Sequence, residues 1–444
     1  MADKYVSHSG DDQLGDGSSG SPYRTIQKGI DELGANESCI LVNDSDYILE
    51  ELESGTAGVW NTTNKTLTDA AATFQTNGVT SGDNVFYDGN AYKIVSVDSQ
   101  TQVTCTAAPA GNPANVSYSV GDQYAYNVVM SNANGDVDYN YWLTLKSESA
   151  ASRSSIRAGA GFPDNEYLVV VVSDMNKVQD LILVGSGGTC TQVGIWGDYA
   201  SVFTGFVVSN CDISGFKWGV RADHLEAALV VNCNITLNNA DSARGIIFSD
   251  NGQVALNNII TGGAGVSSNG IMLYTLACGP QVIGNIVRDF TASSCTGIYS
   301  NAQGASIIGN TVYNISGDGS PAGIMLCAAS AMGTAVYNNI LLSCRRGIGR
   351  NSSSCGGFSC LDYNCVAVSV APYVNISAGT HDISSNPLFV DAANGDFRPC
   401  NPAVLRGGKP DIAGNSTQMG AVVQKYQFAN LGRAANMGRL AVIR

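Results

Sequence analysis

The sequence predicts an all-β chain wound as a parallel β-helix, a solenoid whose coils are about 25 residues long. Two periodicities running in step predict it. A glycine followed by an aliphatic residue recurs at Gly194, Gly219, Gly245, Gly270, Gly297, Gly323 and Gly347, with separations of 25, 26, 25, 27, 26 and 24 residues. A polar amide or acid before an aliphatic strand recurs with it, at Asp212, Asn234, Asn258, Asn285, Asn310, Asn339 and Asn364. So short a unit falls below a propeller blade and lacks heptads or paired helices. Its Val- and Ile-rich runs, bounded by Gly, Asn and Ser, have the length of strands.

In such a solenoid each position stacks on its counterpart one coil away, at roughly 4.8 Å. The residues after the glycines, Ile195, Val220, Ile246, Ile271, Ile298, Ile324 and Ile348, then form an interior column. The amides form a ladder at a bend, side chain bonded to side chain. Cys211 and Cys233 take equivalent places in neighbouring coils, as small buried residues do. From about Tyr167 to Val390 there is room for roughly nine coils.

The remaining elements follow in chain order. Residues 22–33 carry apolar side chains at 23, 26, 30 and 33, a helical spacing, and Pro22 suits a first turn. This helix is expected to plug the open N-terminal end, whose bare strand edges need covering. Residues 55–125 interrupt the first coils with alternating strands and Gly-Asp or Asp-Gly turns, which predicts a small inserted β-barrel or sandwich. The organisation expected is therefore 1–54 arm, helix and first coil, 55–125 inserted module, 126–423 β-helix with its C-terminal cap, and 424–444 arm. That last arm holds Lys425, Arg433, Arg439 and Arg444 and no acid, in a chain of net charge −14.

That acidity opposes phosphate backbones and anionic lipid, so neither nucleic acid nor a membrane surface is an expected partner. No apolar run approaches the roughly 20 residues of a membrane span. Met1–Val6 shows no basic segment leading into an apolar one, and the 13 Cys suggest no paired framework. Both features predict folding in a reducing cytoplasm.

The chain resembles the pectate-lyase-like right-handed parallel β-helix proteins. The resemblance rests on Ser9-Gly10-Asp11-Asp12, Gly15-Asp16-Gly17, Pro22-Tyr23 and Thr25-Ile26-Gln27-Lys28 near the start. Near the end it rests on Asn386-Pro387-Leu388-Phe389-Val390-Asp391, Asn394-Gly395-Asp396-Phe397-Arg398, Asn401-Pro402-Ala403 and Asp411-Ile412-Ala413-Gly414, the first of which such proteins often carry on their last coil. Val404-Leu405 stands where Ile-Asp is usual. The inserted segment is similar to a small β module of bacteriophage structural proteins. Together the resemblances imply a right-handed β-helix of tailspike-like or capsid-decorating kind, located on the virion. They further imply a homotrimer in contact with other virion proteins and with host surface polysaccharide. The scaffold hosts many activities, so chemistry has to come from a site.

Candidate acids on successive coils are Asp198, Asp223, Asp250 and Asp289, with Arg221 and Arg288 nearby. Their offsets from the repeat glycine are 4, 4, 5 and 19, so only Asp198 and Asp223 are in phase. A stacked pair would stand near the separation a retaining glycosidase uses. Solvated turn positions explain the same acids. His8, His224 and His381 are scattered, and Cys344, Cys355, Cys360 and Cys365 fit no zinc spacing, so no metal site is expected. Calcium enters only with a lyase reading, and no other cofactor is implied. The outward neighbours of the interior column are Trp196, Arg221, Ile247, Met272, Tyr299 and Met325. So apolar an outer column reads as a covered face, a subunit interface or a stacking platform for sugar rings. The reading is a virion attachment protein, with a polysaccharide lyase or hydrolase as first alternative and a bacterial adhesin as second.

Overall fold

In the computed structural model, residues 3–421 are described except 43–45, 124–126, 132–141, 160–161, 198–202, 224, 275–278, 328–330, 369 and 411–416. Three parallel sheets of 11, 10 and 10 strands form the walls of a β-solenoid. One coil supplies Leu229–Val231 to sheet 1, Asn234–Leu237 to sheet 2 and Arg244–Phe248 to sheet 3. Sheet 3 gains nine strands from Tyr167–Val171 to Ala371–Val374, so eight full turns separate the first from the last.

Steric exclusion accounts for the repeating glycine. A Cβ on Gly219 would stand 2.7 Å from the Gly245 carbonyl oxygen and 2.5 Å from Cγ2 of Ile235; one on Gly245 would stand 2.4 Å from the Gly270 oxygen. Only a residue without a side chain lets the backbone of sheet 3 approach its neighbour and the aliphatic lining of sheet 2 together. The following residues, from Ile195 to Ile348, stack in register and are fully buried.

The corner between sheets 1 and 2 is left-handed in eight successive coils: Asp180, Asn210, Asn232, Asn257, Gly284, Gly309, Asn338 and Tyr363 have φ of +53° to +66°. Asn, Asp and Gly tolerate that region best. The next residue turns inward and builds the ladder. Nδ2 of Asn258, Asn285, Asn310 and Asn339 donates to Oδ1 of the next amide at 2.9–3.0 Å, and Asn364 donates to Oδ1 of Asp382 at 3.2 Å. Asp212 and Asn234 lie outside this ladder. They begin sheet 2 strands and pair in register with each other and with Ile259, one residue beyond the ladder position. Cys211 and Cys233 occupy the ladder position instead, each Sγ 3.7 Å from the carbonyl oxygen of Val178 or Val208. Burial, and then the neighbouring Cys233, hold the Cys211 thiol well above its ordinary pKa.

At the N-terminal end the helix spans Ile26–Asp31, shorter than 22–33. The backbone of residues 22–25 is recruited elsewhere: Ser7 N donates to Tyr23 O at 2.9 Å, and the Asp12 carboxylate accepts from Arg24 N at 2.7 Å and Thr25 N at 3.0 Å. Ile26, Gly29 and Ile30 face the solenoid and are buried. The insertion is a closed six-stranded antiparallel barrel from Glu53 to Gly121 around Trp60, Leu67, Phe74, Val85 and Val120. Arg24, 2% exposed, ties it to the solenoid through Asp122 and the Gly82 oxygen.

The C-terminal segment is not the last coil. Phe389–Asp391 and Asp396–Pro399 pair as a short antiparallel hairpin, and Pro402–Leu405 is a single helical turn. Both fold back along the outer face of sheet 2, where Phe389, Phe397, Val404, Met419 and Ala421 cover Ile286, Tyr313 and Ile340. The apolar outward residues of that sheet draw the segment sideways. The end of the solenoid is closed by residues 376–385. Asp382 accepts from Asn364 N at 2.6 Å, Tyr373 Oη at 2.7 Å and Gly379 N at 2.8 Å. Among the described residues no helix is long and apolar enough to cross a membrane.

Candidate functional site

The expected outer column is in register on sheet 3: Trp196, Arg221, Ile247, Met272, Tyr299 and Met325 pair in succession. Its apolar members are nevertheless withdrawn within one chain. Ile247, Met272 and Met325 are 2%, 8% and 6% exposed, and Arg244 Nε lies 3.1 Å from Sδ of Met272. Trp196 stacks on Tyr167 with ring centroids 3.8 Å apart, and its indole N–H is buried. Tyr299 is half-buried; burial, then Cys327, pushes its phenol up to about 12. Both rings are partly buried, Trp196 with one face against Tyr167.

A second outward column lies beside the first. The repeat glycine and the residue after it both face inward, so strict alternation fails and the residue before the glycine points out again. This column runs Tyr167, Val193, Trp218, Arg244, Asn269, Thr296. Tyr167, Val193 and Trp218 join Asn165, Thr191, Lys217 and Arg221 around a cleft of about 200 Å³. The Trp218 indole is fixed by Nε1 donating to Ser242 O at 3.1 Å. The Arg221 guanidinium lies 4.8 Å from a Trp218 ring centroid and 5.7 Å from that of Trp196. Sequence reasoning missed Trp218; the signal was the large side chains preceding glycines at Trp218 and Arg244.

Of the proposed acids, Asp289 stands apart from Asp223 and Asp250, on a different sheet. Asp223, 8% exposed, is engaged by Arg221 Nε and by Ser249 Oγ at 3.0 Å. Asp198 lies outside the described residues. Asp250 sits in the turn after a neighbouring strand, its Oδ1 accepting from Asn251 N at 2.7 Å. Asp289 belongs to sheet 2, between Arg288 Nε at 3.5 Å and Asn314 Nδ2 at 2.8 Å.

Of the histidines, His381 pairs through Nδ1 with Asp362 Oδ2 at 2.7 Å, and His8 Nδ1 lies 3.6 Å from Asp122. His224 is outside the described residues. Cys344 and Cys365 are buried in different clusters, their thiols each pushed up to about 12 by burial. Among the described residues no three His, Cys, Asp or Glu side chains group closely enough to hold a metal. The basic arm with Lys425, Arg433, Arg439 and Arg444 also falls outside the described residues.

By its own register the chain is a protein of the parallel β-helix class carrying a barrel module. No protein-family model matches it, nor does any curated protein sequence. Solved structures similar to it include a lacto-N-biosidase from Eubacterium ramulus, at 9% identity and a TM-score of 0.42, covering 86% of this chain and 66% of that one. A glycoside hydrolase matches at 9% identity and a TM-score of 0.38, over 84% of this chain and 97% of its own. The Dettilon tailspike protein matches at 11% identity and a TM-score of 0.29, over 52% of this chain and 58% of its own.

Proposed function

We propose that this chain is a glycan-binding attachment protein of a bacteriophage virion, its sugar subsite being the cleft of Tyr167, Lys217, Trp218 and Arg221. The observation that carries the reading is the Trp218 ring, fixed at a cleft with polar and cationic groups around it. Aromatic faces stack on the C–H faces of sugar rings while neighbouring donors select hydroxyls. Binding of host surface glycans by the purified chain, measured calorimetrically, tests it. Trp218→Ala is expected to weaken binding about tenfold or more with an unchanged melting midpoint. Undiminished binding by that variant refutes the site.

A depolymerase is the second reading, favoured only by Asp223 standing beside the cleft. Its carboxylate is already taken by Arg221 and Ser249, which favours binding over hydrolysis. New reducing ends on incubation with host polysaccharide decide between the two.

The reading includes a homotrimer, with its contact moved from sheet 3 to sheet 1. The sheet 1 outward positions Val231, Leu256, Ile283 and Ile308 carry no charge in a chain of net −14, so copies meet there with little repulsion. Sedimentation at three times the 46.1 kDa chain mass is expected; a monomer at micromolar concentration refutes the trimer.

A further inference from the structure

We infer that the glycan taken by this cleft is anionic, its sugar carboxylates received by Lys217 and Arg221 of the lining, with Arg244 one coil beyond them; the inference rests on the glycan-binding reading above. The two outward columns of sheet 3, followed from Tyr167 to Gly349, hold Arg221, Arg244 and Arg346 and no acid. This occurs in a chain with 37 acids against 23 bases. A positive face on so acidic a protein concentrates anions locally and repels few of them.

The three cations differ in how they are held. Arg244 follows Trp218 in register one coil on. Its Nη1 donates to Ala243 O at 3.0 Å and Ser267 O at 2.8 Å, which aims the guanidinium along the face. No carboxylate of the described residues is in ion-pair reach of it, and burial lowers its pKa. A guanidinium half withdrawn from water without a counter-ion gains most from an incoming anion. Arg221 spends Nε on Asp223, and its Nη nitrogens have no hydrogen bond among the described residues. Lys217 lines the cleft mouth, its Nζ 5.8 Å from a Trp218 ring centroid, with no carboxylate of the described residues within ion-pair reach. Arg221 thus shares the Trp218 strand, while Arg244 stands on the next strand beside the indole. A pyranose stacked beside the indole would place a ring carboxylate against the two Nη nitrogens of Arg221, in the planar two-point geometry arginine favours. A sulfate or phosphate ester is also anionic but tetrahedral, and the probes below separate the two.

The test uses the full chain with three probes: alginate oligosaccharides, whose rings carry carboxylates; dextran oligosaccharides, which are neutral; and dextran sulfate. Alginate is expected to bind about tenfold or more tightly than dextran, and to weaken as salt rises and screens the contact. Lys217→Gln, a surface change that leaves the sheet intact, is expected to weaken alginate binding about tenfold and dextran binding much less. Arg244→Gln should do the same, provided its melting midpoint is unchanged. Equal binding of dextran and alginate, insensitive to salt and to Lys217→Gln but lost in Trp218→Ala, overturns the anionic class and leaves the glycan site standing. Dextran sulfate matching alginate overturns the carboxylate assignment. Alginate binding that survives both Trp218→Ala and Lys217→Gln overturns the placement. Binding of none of the three overturns this inference and the glycan-binding reading together.

Discussion

Replacing Asn310 by alanine removes one rung from the middle of the amide ladder. The side chain is fully buried and makes four hydrogen bonds. Nδ2 donates to Val282 O at 2.8 Å and Asn339 Oδ1 at 3.0 Å, and Oδ1 accepts from Asn285 N at 2.9 Å and Asn285 Nδ2 at 3.0 Å. At a net worth of about 1 kcal/mol each, the loss is about 4 kcal/mol, since the space left is too enclosed for water to replace all four partners. Urea unfolding followed by circular dichroism measures the total. Amide exchange of Ile286–Phe290 and Thr311–Ile315, the strands flanking the rung, localises it. A loss below about 1 kcal/mol at unchanged m-value, with those strands still protected, would refute the claim that the ladder stabilises the coil stack.

Two further outcomes follow from other elements. Gly245→Ala drives a methyl to 2.4 Å from the Gly270 oxygen and 2.5 Å from Ile260 Cγ2, and is expected to cost about 3 kcal/mol by overpacking; Gly20→Ala, with nothing within 4 Å, is the control that should melt like the parent. Burial raises the Asp362 pKa, but hydrogen bonds from the His381 ring and backbone and from Tyr363 N outweigh it, leaving the carboxyl below its ordinary 3.8. A depressed folded pKa stabilises above the unfolded value and the contribution fades as pH falls through the folded one. The melting midpoint should therefore drop on acidification below about pH 4. The drop should be smaller in His381→Ala, and an equal drop in both proteins would refute the pairing.

The glycine column was legible because a steric exclusion repeated seven times leaves the same residue at each place. The ladder was legible from Asn258 onward but displaced by one residue at Asp212 and Asn234. There cysteine fills the inward position, and the amide beside it begins the next strand. Trp218 escaped notice because alternation predicts one outward residue per glycine phrase, whereas the doubled inward step creates two. The burial of Ile247 and Met272 depends on contacts such as Arg244 against the thioether, which no periodicity reports. The fold-back of residues 386–410 and 417–421 depends on which outward residues of sheet 2 are apolar, and that can be known only once the coils are placed.

The C-terminal hairpin has a mechanical consequence. A stack of coils bound only to nearest neighbours can fray from its end one turn at a time. Here Phe389 and Phe397 grip Ile286 and Tyr313, while Val404 and Met419 grip Ile340, so a single strap spans three successive turns. Those turns cannot peel away singly: the strap has to detach first, and all three are then released together. Pulled from this end, the protein should yield in one large step rather than several small ones.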